Sequence, residues 1–576
     1  MKRKVAITFA LVIILTMNLL ASCGESVANR QIATAAGTVS PEREGITTLK
    51  SDESVEKGPF GKYEPSIDVT FVRTLDEDTA SNILPRTPGE TMEDNRWLEA
   101  YSQKLGININ YDWIVNGGYE DDAYIQKLNV TLASGGLPDV IPVGLSQLKQ
   151  LSDADMIVDL TPYWNDYASD TLKGYYTANS PAILGSSTFD GRLMGITSFT
   201  DGFNDGVFIW IRADWLRKLG LSPPKTMDEL LAVAHAFTTQ DPDGNGINDT
   251  YGFAVTKDLS GSALGLEGFF AGYHAYPNIW VENDSGRLVY GSTLPEVKMV
   301  LQVLADLYQS GEIDSMFAVK DLSNVADSLV DGKIGIEFGA QWNPMYPLIS
   351  SYNKDTEADW TGFPLVSIDS RPACSPSKFM LDNMYYAVNK DYEHPEALIK
   401  MLNLHVELCW GETGDFDYYY MPKAKDSVGV WKFSPVYPSP PFKNIAAFKD
   451  LANAHKNGTL KRLTGESAAI QRNIEAFQNG DVSQWGWNKI YGPEGVYRWS
   501  MSYFSNGLFM WDKFTGAPTP TMAVKMNALV QMERELFTKI IMGAAPLDEF
   551  DRFVEDWYKI GGTEMTNEVN EWYSGQ

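Results

Sequence analysis

The sequence predicts an α/β protein of two lobes followed by a helical C-terminal region. Three observations predict it. Strand-like and helix-like periodicities alternate with short joints near the start of the ordered chain. The same rhythm returns twice more, in "VFIWIRADWLRKLG" and in "KIGIEFGAQW" with "NMYYAVNK". The 576 residues are too many for a single hydrophobic core.

In "SIDVTFVR", Ile67, Val69 and Phe71 alternate with polar residues, which is the two-residue period of a strand. "EDNRWLEAYSQKLG" then carries Trp97, Leu98, Tyr101 and Leu105 at helical spacing and ends on Gly106, a C-cap signal. "ININ" resumes alternation, so the unit reads as β-α-β with parallel strands. A helix through "DAYIQKLNVTLASG", a strand at "LPDVIPV" and a helix in "LSQLKQLSDADMIVDLTPYW" extend it. In "KTMDELLAVAHAF", Thr226 and Glu229 have capping-box spacing, and Leu230, Val233, Ala234 and Phe237 fall on one helix face. The end of the chain reads as three helices: one closing at Gly543, one from Pro546 to Gly561, and a short last one in "TNEVNEWY".

The N-terminus sets an address. Lys2, Arg3 and Lys4 precede an apolar run from Val5 to Leu20 that is short for a membrane span and ends in small residues. The following Leu20-Ala21-Ser22-Cys23 resembles a bacterial lipobox. That resemblance implies a signal peptide of residues 1–22, cleavage before Cys23, and acylation (palmitate among the chains) that holds the protein on the cell membrane with its body outside. Residues 23–64 lack periodicity and are rich in Ser, Thr, Ala, Gly and Glu, the composition of a flexible tether.

The net charge of −28 disfavours nucleic acid as a partner. Aromatic residues make up 12% of the chain, with 16 Trp and 28 Tyr, enough for large cores or sugar-stacking surfaces. Cys23, Cys374 and Cys409 form no disulfide framework; the last two pair in an oxidising space or stay as buried thiols. His235, His274, His394, His405 and His455 are scattered. No HExxH, GxSxG, Walker A or CxxC motif is present.

From residue 65 onward the chain resembles the extracellular solute-binding lipoproteins of family 1, the carbohydrate-binding subunits of ABC transporters, in the large form common in Firmicutes. The stretches that carry the likeness occur in order: "DNRWLEAYSQKLGI", "LASGGLPDV", "IVDLTPYW", "DGRLMGI", "IRADWLRKLGLSPPKTMDELLAVAHAFTTQDPDGNGINDTYG", "DGKIGI" and the C-terminal "FTKIIMGAAPLDEFDRFVEDWYKIGGTEMTNEVNEWY". The resemblance implies a type II periplasmic-binding-protein fold, with lobe 1 at about 65–200 plus 334–405 and lobe 2 at about 201–333 plus 406–576. It implies a monomeric receptor, not an enzyme, that binds an oligosaccharide in an interlobe cleft and passes it to permease subunits. Expected sugar platforms are Trp342 (flanked by Gln341 and Asn343), Trp410, Trp485 and Trp487, with close backbone approach at Ser134 and Gly135. Two rival readings remain at this point: a surface glycoside hydrolase recruiting carboxylates such as Glu337, Asp415 and Asp417, and a sensor feeding a membrane kinase.

One loop has metal-ligand spacing. In "DPDGNGINDT", Asp241, Asp243 and Asn245 hold the first, third and fifth places, Gly246 the sixth, the Ile247 carbonyl the seventh, Asp249 the ninth and Thr250 the tenth. The bidentate glutamate of an EF-hand is absent, because the twelfth place is Gly252. A structural calcium clip is the expected role, since so many oxygens from one segment leave no open position for chemistry.

Overall fold

The structure, a computed structural model, describes residues 57–575 except 120–121, 178–181, 199–205, 378–383 and 424–427. The signal segment, Cys23 and most of the expected tether lie outside the described residues. Order begins earlier than residue 65. Tyr63 is buried, its amide donates to the Leu105 carbonyl at 2.8 Å, and its hydroxyl donates to Glu396 Oε1 at 2.8 Å.

Asn95 starts the first α-helix, Arg96–Leu105, by accepting from the amides of Trp97 and Leu98. Gly106 ends it at φ +66. A Cβ at Gly106 would lie 2.3 Å from the Tyr63 carbonyl oxygen, so glycine is required here both for conformation and for space. The strand Ile67–Leu75 pairs in parallel with Ile107–Asn116, with Phe71 opposite Tyr111, and in parallel with Val140–Val143. Tyr385–Val388 adds antiparallel to Val140–Val143, and Ile196–Thr197 closes this five-stranded sheet. Side chains alternate between two cores. Val69 and Phe71 meet Trp97 and Tyr101 on one face, while Val72 meets Tyr124 and Leu148 on the other.

A second sheet runs in the order Trp360–Phe363, Val207–Arg212, Ile334–Ala340, Tyr251–Phe253. In its first three strands, Val207–Arg212 runs antiparallel to both of its neighbours. The central strand Val207–Arg212 is buried at every position. The helix Met227–Thr239 packs on this sheet. Thr226 caps it by accepting from the Glu229 amide, but Glu229 reaches back to the Lys225 amide, so only half of a capping box forms. The C-terminal helices Pro520–Ile541, Glu549–Trp557 and Thr563–Ser574 cover the same core, where Trp557 stacks on Tyr290 at 5.1 Å. Four helices between 443 and 506 enclose a small core of their own around Ile445, Ile470, Ile474 and Tyr497.

This pairing corrects the expected lobe boundaries. Ile334–Ala340 hydrogen-bonds to Val207–Arg212, so the chain from 334 to 377 belongs with the second sheet. The helix Glu396–Trp410, with Tyr420, Val430 and Phe433 after it, packs into the first sheet's core. Cys374 and Cys409 are both free thiols. Among the described residues, no helix is long and apolar enough to cross a membrane.

A carboxylate lies inside the second sheet. Glu337, opposite Trp210, is fully buried. It accepts from Asn343 Nδ2 at 3.1 Å and from the Leu264 amide at 3.2 Å. Burial raises its pKa from the ordinary 4.5 to about 7. The folded state therefore holds this proton to higher pH than the unfolded chain does. The associated stability is complete below pH 4.5 and is lost as pH rises through about 7. We predict that Glu337→Gln gains melting temperature relative to wild type as pH rises from 4.5 to about 7, and that the difference levels off above that. A shift of this size is worth on the order of 3 kcal/mol. Parallel melting curves across that range would contradict the assignment.

Candidate ligand-binding cleft

A cavity of about 1070 Å³ lies between the two sheets. Its first wall is built at one end of the first sheet. Gly118 and Tyr119 follow the strand Ile107–Asn116, Gly144 to Gln147 follow Val140–Val143, Ser198 follows Ile196–Thr197, and Met384 precedes Tyr385–Val388. Ligands of open α/β sheets gather at the carboxyl ends of parallel strands, where loops and helix N-termini leave polar backbone exposed.

The helix Glu396–Trp410 contributes His405 and Trp410 to this wall. His405 is buried, lies 4.5 Å from the Trp97 ring in a stacked arrangement, and has Nε2 3.8 Å from Cys409 Sγ. Burial lowers its pKa to about 3, so the imidazole is neutral. Two buried nitrogens here, His405 Nδ1 and Trp410 Nε1, have no hydrogen-bond partner among the described residues. Trp410 packs against Tyr420 at 5.1 Å, Tyr420 stacks on Trp431 at 6.0 Å, and Trp431 meets Tyr437 edge-on at 5.3 Å. Together they make a continuous aromatic surface.

The opposite wall comes from the second sheet's side: Asn278, Trp280, Tyr290, Asp512, Phe514, and Met522, Met526 and Asn527 of Pro520–Ile541. Asp512 Oδ1 accepts from the amides of Trp280 at 3.1 Å and Phe514 at 3.0 Å, which holds two aromatic residues of this wall in place. Ser439, Lys443 and Asn444 join the walls at one end. Lys443 Nζ donates to Glu466 Oε1 at 2.7 Å. Burial opposes the lysine's charge, but Glu466 outweighs it and raises the pKa. A side recess of about 210 Å³ opens beside Tyr119, Trp431 and Tyr437 and is floored by Arg73.

Of the residues expected to bind ligand, Trp410 lines the cavity; the others do not. Trp485 is fully buried and stacks on Tyr352 at 4.9 Å. Trp487 stacks on Tyr491 at 6.0 Å within the small helical cluster. Trp342 packs on the second core, Gln341 is buried, and Asn343 is held by Glu337. Ser134 and Gly135 are exposed where the helix Asp122–Ser134 ends. The carboxylates of the hydrolase reading are also elsewhere. Glu337 is in the second core, Asp415 caps the Tyr418 amide, and Asp417 pairs with Lys423 and Arg472. Sequence reasoning missed Trp431, Tyr437, Tyr119 and Trp280. A usable signal existed for two of them: "WKFSPVYPSPPF" sets aromatics in a proline-rich connection that forms neither an α-helix nor a strand.

The acidic loop is well ordered in itself. Asp241 accepts from the amides of Gly244, Asn245 and Gly246 at 2.9–3.0 Å. Asn245 Nδ2 donates to Asp243 Oδ2 at 2.8 Å and to Asp249 Oδ1 at 3.1 Å, and Lys333 pairs with Asp249. Burial, and then the adjoining Asp241, push the Asp243 carboxyl up, which is the signature of carboxylates crowding one another. These hard oxygen donors suit a cation such as calcium. Among the described residues no group of three or more His, Cys, Asp or Glu is arranged as a metal site. Thr250, expected at the tenth place, has its buried hydroxyl turned to the Phe237 carbonyl, to which it donates at 2.6 Å. The twelfth place is glycine for a steric reason: a Cβ at Gly252 would lie 2.7 Å from Ala234 Cβ and 2.9 Å from the Ala234 carbonyl oxygen.

Comparison with known proteins now bears on the cleft. Residues 90–404 match the family described as bacterial extracellular solute-binding protein. Lipoprotein LipO of Bacillus subtilis (strain 168) is 31% identical over 258 residues, covering 44% of this chain and 48% of that protein. The fructooligosaccharide ABC transporter substrate-binding protein FusA of Streptococcus pneumoniae serotype 4 is 30% identical over 286 residues, covering 46% and 49%. The chain thus spans about half the length of the curated relatives it matches. In fold it is similar to an HMO-binding, ABC-transporter-associated solute-binding protein from Bifidobacterium longum infantis, with TM-score 0.61, 17% identity and coverage of 88% and 98%. It is also similar to an S. pneumoniae FusA EF-hand mutant in complex with fructo-nystose, with TM-score 0.55, 18% identity and coverage of 88% and 99%. The architecture is that of the type II periplasmic solute-binding proteins.

Proposed function

We propose that this chain, which belongs to the family of bacterial extracellular solute-binding proteins, captures an oligosaccharide between its two sheets and delivers it, as a monomer, to an ABC importer. The observation that carries this reading is the cleft itself. Aromatic rings from both walls face a cavity whose other polar groups are mostly amides and hydroxyls, with Lys443, Asp512 and His405 beside them. Sugars present apolar ring faces and hydroxyl rims, and such a lining complements both. The cavity sits at the upper end of the roughly 300–1,000 Å³ typical of small-ligand sites, which suits several sugar units rather than one. A ligand touching both walls stabilises whichever arrangement brings the walls together, as in hinge-closing receptors. The names of the FusA and Bifidobacterium proteins support an oligosaccharide ligand and an ABC partner. Hydrolysis is disfavoured because it needs two carboxylates across the bond, and among the described lining residues Asp512 is the single carboxylate.

In this reading Cys23 carries the lipid anchor, with residues 24–56 as tether, on the outer face of the cell membrane. Calcium is a structural ion of the acidic loop, held by Asp241, Asp243, Asn245, the Ile247 carbonyl and Asp249. Crowding of the Asp241 and Asp243 carboxyls supports it, as does the EF-hand of the similar S. pneumoniae FusA mutant structure.

Three outcomes follow. Thermal shift of the mature chain against a glycan panel gives a rise in melting temperature with at least one oligosaccharide. Trp410→Ala and Trp431→Ala weaken that ligand at least tenfold, about 1.4 kcal/mol. Stabilisation by peptides and by no glycan would sink the carbohydrate reading. Chelation lowers the melting temperature of wild type, added calcium restores it, and Asp243→Ala no longer responds; an unchanged melt with no calcium by elemental analysis removes the ion. Finally, Cys23→Ser moves the protein from the membrane fraction to the medium, and retention on the membrane contradicts lipid anchoring.

A further inference from the structure

We infer that the cleft selects uncharged oligosaccharides and excludes those bearing uronate carboxylates, because every cation found beside it among the described residues is already committed to a partner within the protein. This inference rests on the oligosaccharide reading above and narrows it.

A sugar carboxylate needs a cation or a set of free donors to replace its water. Among the described residues that line the cavity, the single permanent cation is Lys443. Its ammonium lies 2.7 Å from Glu466 Oε1 and 2.7 Å from Asn444 Oδ1. Both side chains of the ion pair are mostly buried, at 16% and 15% exposure. Drawing Lys443 onto a ligand would strand Glu466 as an unpaired, poorly solvated charge, which is among the most costly changes a protein interior undergoes.

The recess offers nothing better. The Arg73 guanidinium is buried and spends its donors on protein oxygens: Nη1 on the Phe433 carbonyl at 2.7 Å and the Tyr111 hydroxyl at 3.2 Å, and Nη2 on the Lys432 carbonyl. Lys432 Nζ is held by Asp76 at 3.0 Å and Asp78 at 2.9 Å. His405 faces the cleft as a neutral ring. The one lining carboxylate, Asp512, adds repulsion, and the net charge of −28 opposes the approach of any anion. What the lining does supply is uncharged. Gln147, Asn278, Asn444 and Asn527 carry amides that both donate to and accept from hydroxyls.

The test is calorimetric titration of the mature wild-type chain with two length-matched panels. One holds neutral gluco-, xylo-, arabino- and fructo-oligosaccharides; the other holds oligogalacturonates and alginate oligomers. The expected result is a neutral ligand that binds at least a hundredfold more tightly than any uronate. A uronate oligomer that binds as tightly as the best neutral one overturns the inference and leaves the oligosaccharide reading standing. Failure of both panels removes the oligosaccharide reading and the inference with it. Glu466→Gln supplies the second arm. Releasing Lys443 from its partner is expected to raise affinity for oligogalacturonate at least tenfold, and no gain would overturn the role given to that ion pair.

Discussion

The chain belongs to two sheets at once, and that constraint organises everything else. It enters the first sheet through Ile67–Leu75, moves to the second before Val207–Arg212, returns before Tyr385–Val388, and leaves again after Tyr437. The first sheet takes its strands from two separated segments, and the strands of the second sheet all lie in the chain between them, from 207 to 363. The cleft is the space those passages leave. Its proline-rich third passage carries Tyr437, Ser439 and Lys443 straight into the lining.

Local order was legible because local periodicity encodes it. The first strand–helix–strand unit, the Gly106 boundary and the Thr226 cap all follow from neighbouring residues. Lobe membership was not, because it depends on pairing across long separations. Nothing within "KIGIEFGAQW" says that its partner is the strand at 207–212, and a segment read with the first sheet belongs to the second. The same blindness governs the tryptophans. Trp485 and Trp410 look alike in sequence, each beside a glycine and polar residues, yet one stacks on Tyr352 inside a core and the other faces open space. Burial is a property of the assembled fold, and a ring alone does not declare it.

The cleft is polar while its two charges, Lys443 and Asp512, are tied to partners within the protein, and that balance is built largely from burial. His405 sits where desolvation keeps its ring neutral. Lys443 sits where burial opposes its charge and Glu466, with Tyr420 and Tyr491, offsets that burial. A wall of this kind holds its hydrogen-bonding pattern constant, since none of these groups needs to gain or lose a proton to meet a hydroxyl.

Gly252 gives the acidic loop a different meaning from the motif it resembles. Where an EF-hand continues into a second helix, this chain enters the strand Tyr251–Phe253, pressed against Ala234 of the preceding helix. Thr250 is pinned to the same helix through Phe237. The segment that would swing in a sensor is here a fixed part of the second sheet. The loop has no lever arm: occupancy by an ion would brace this corner of the molecule without announcing itself anywhere else.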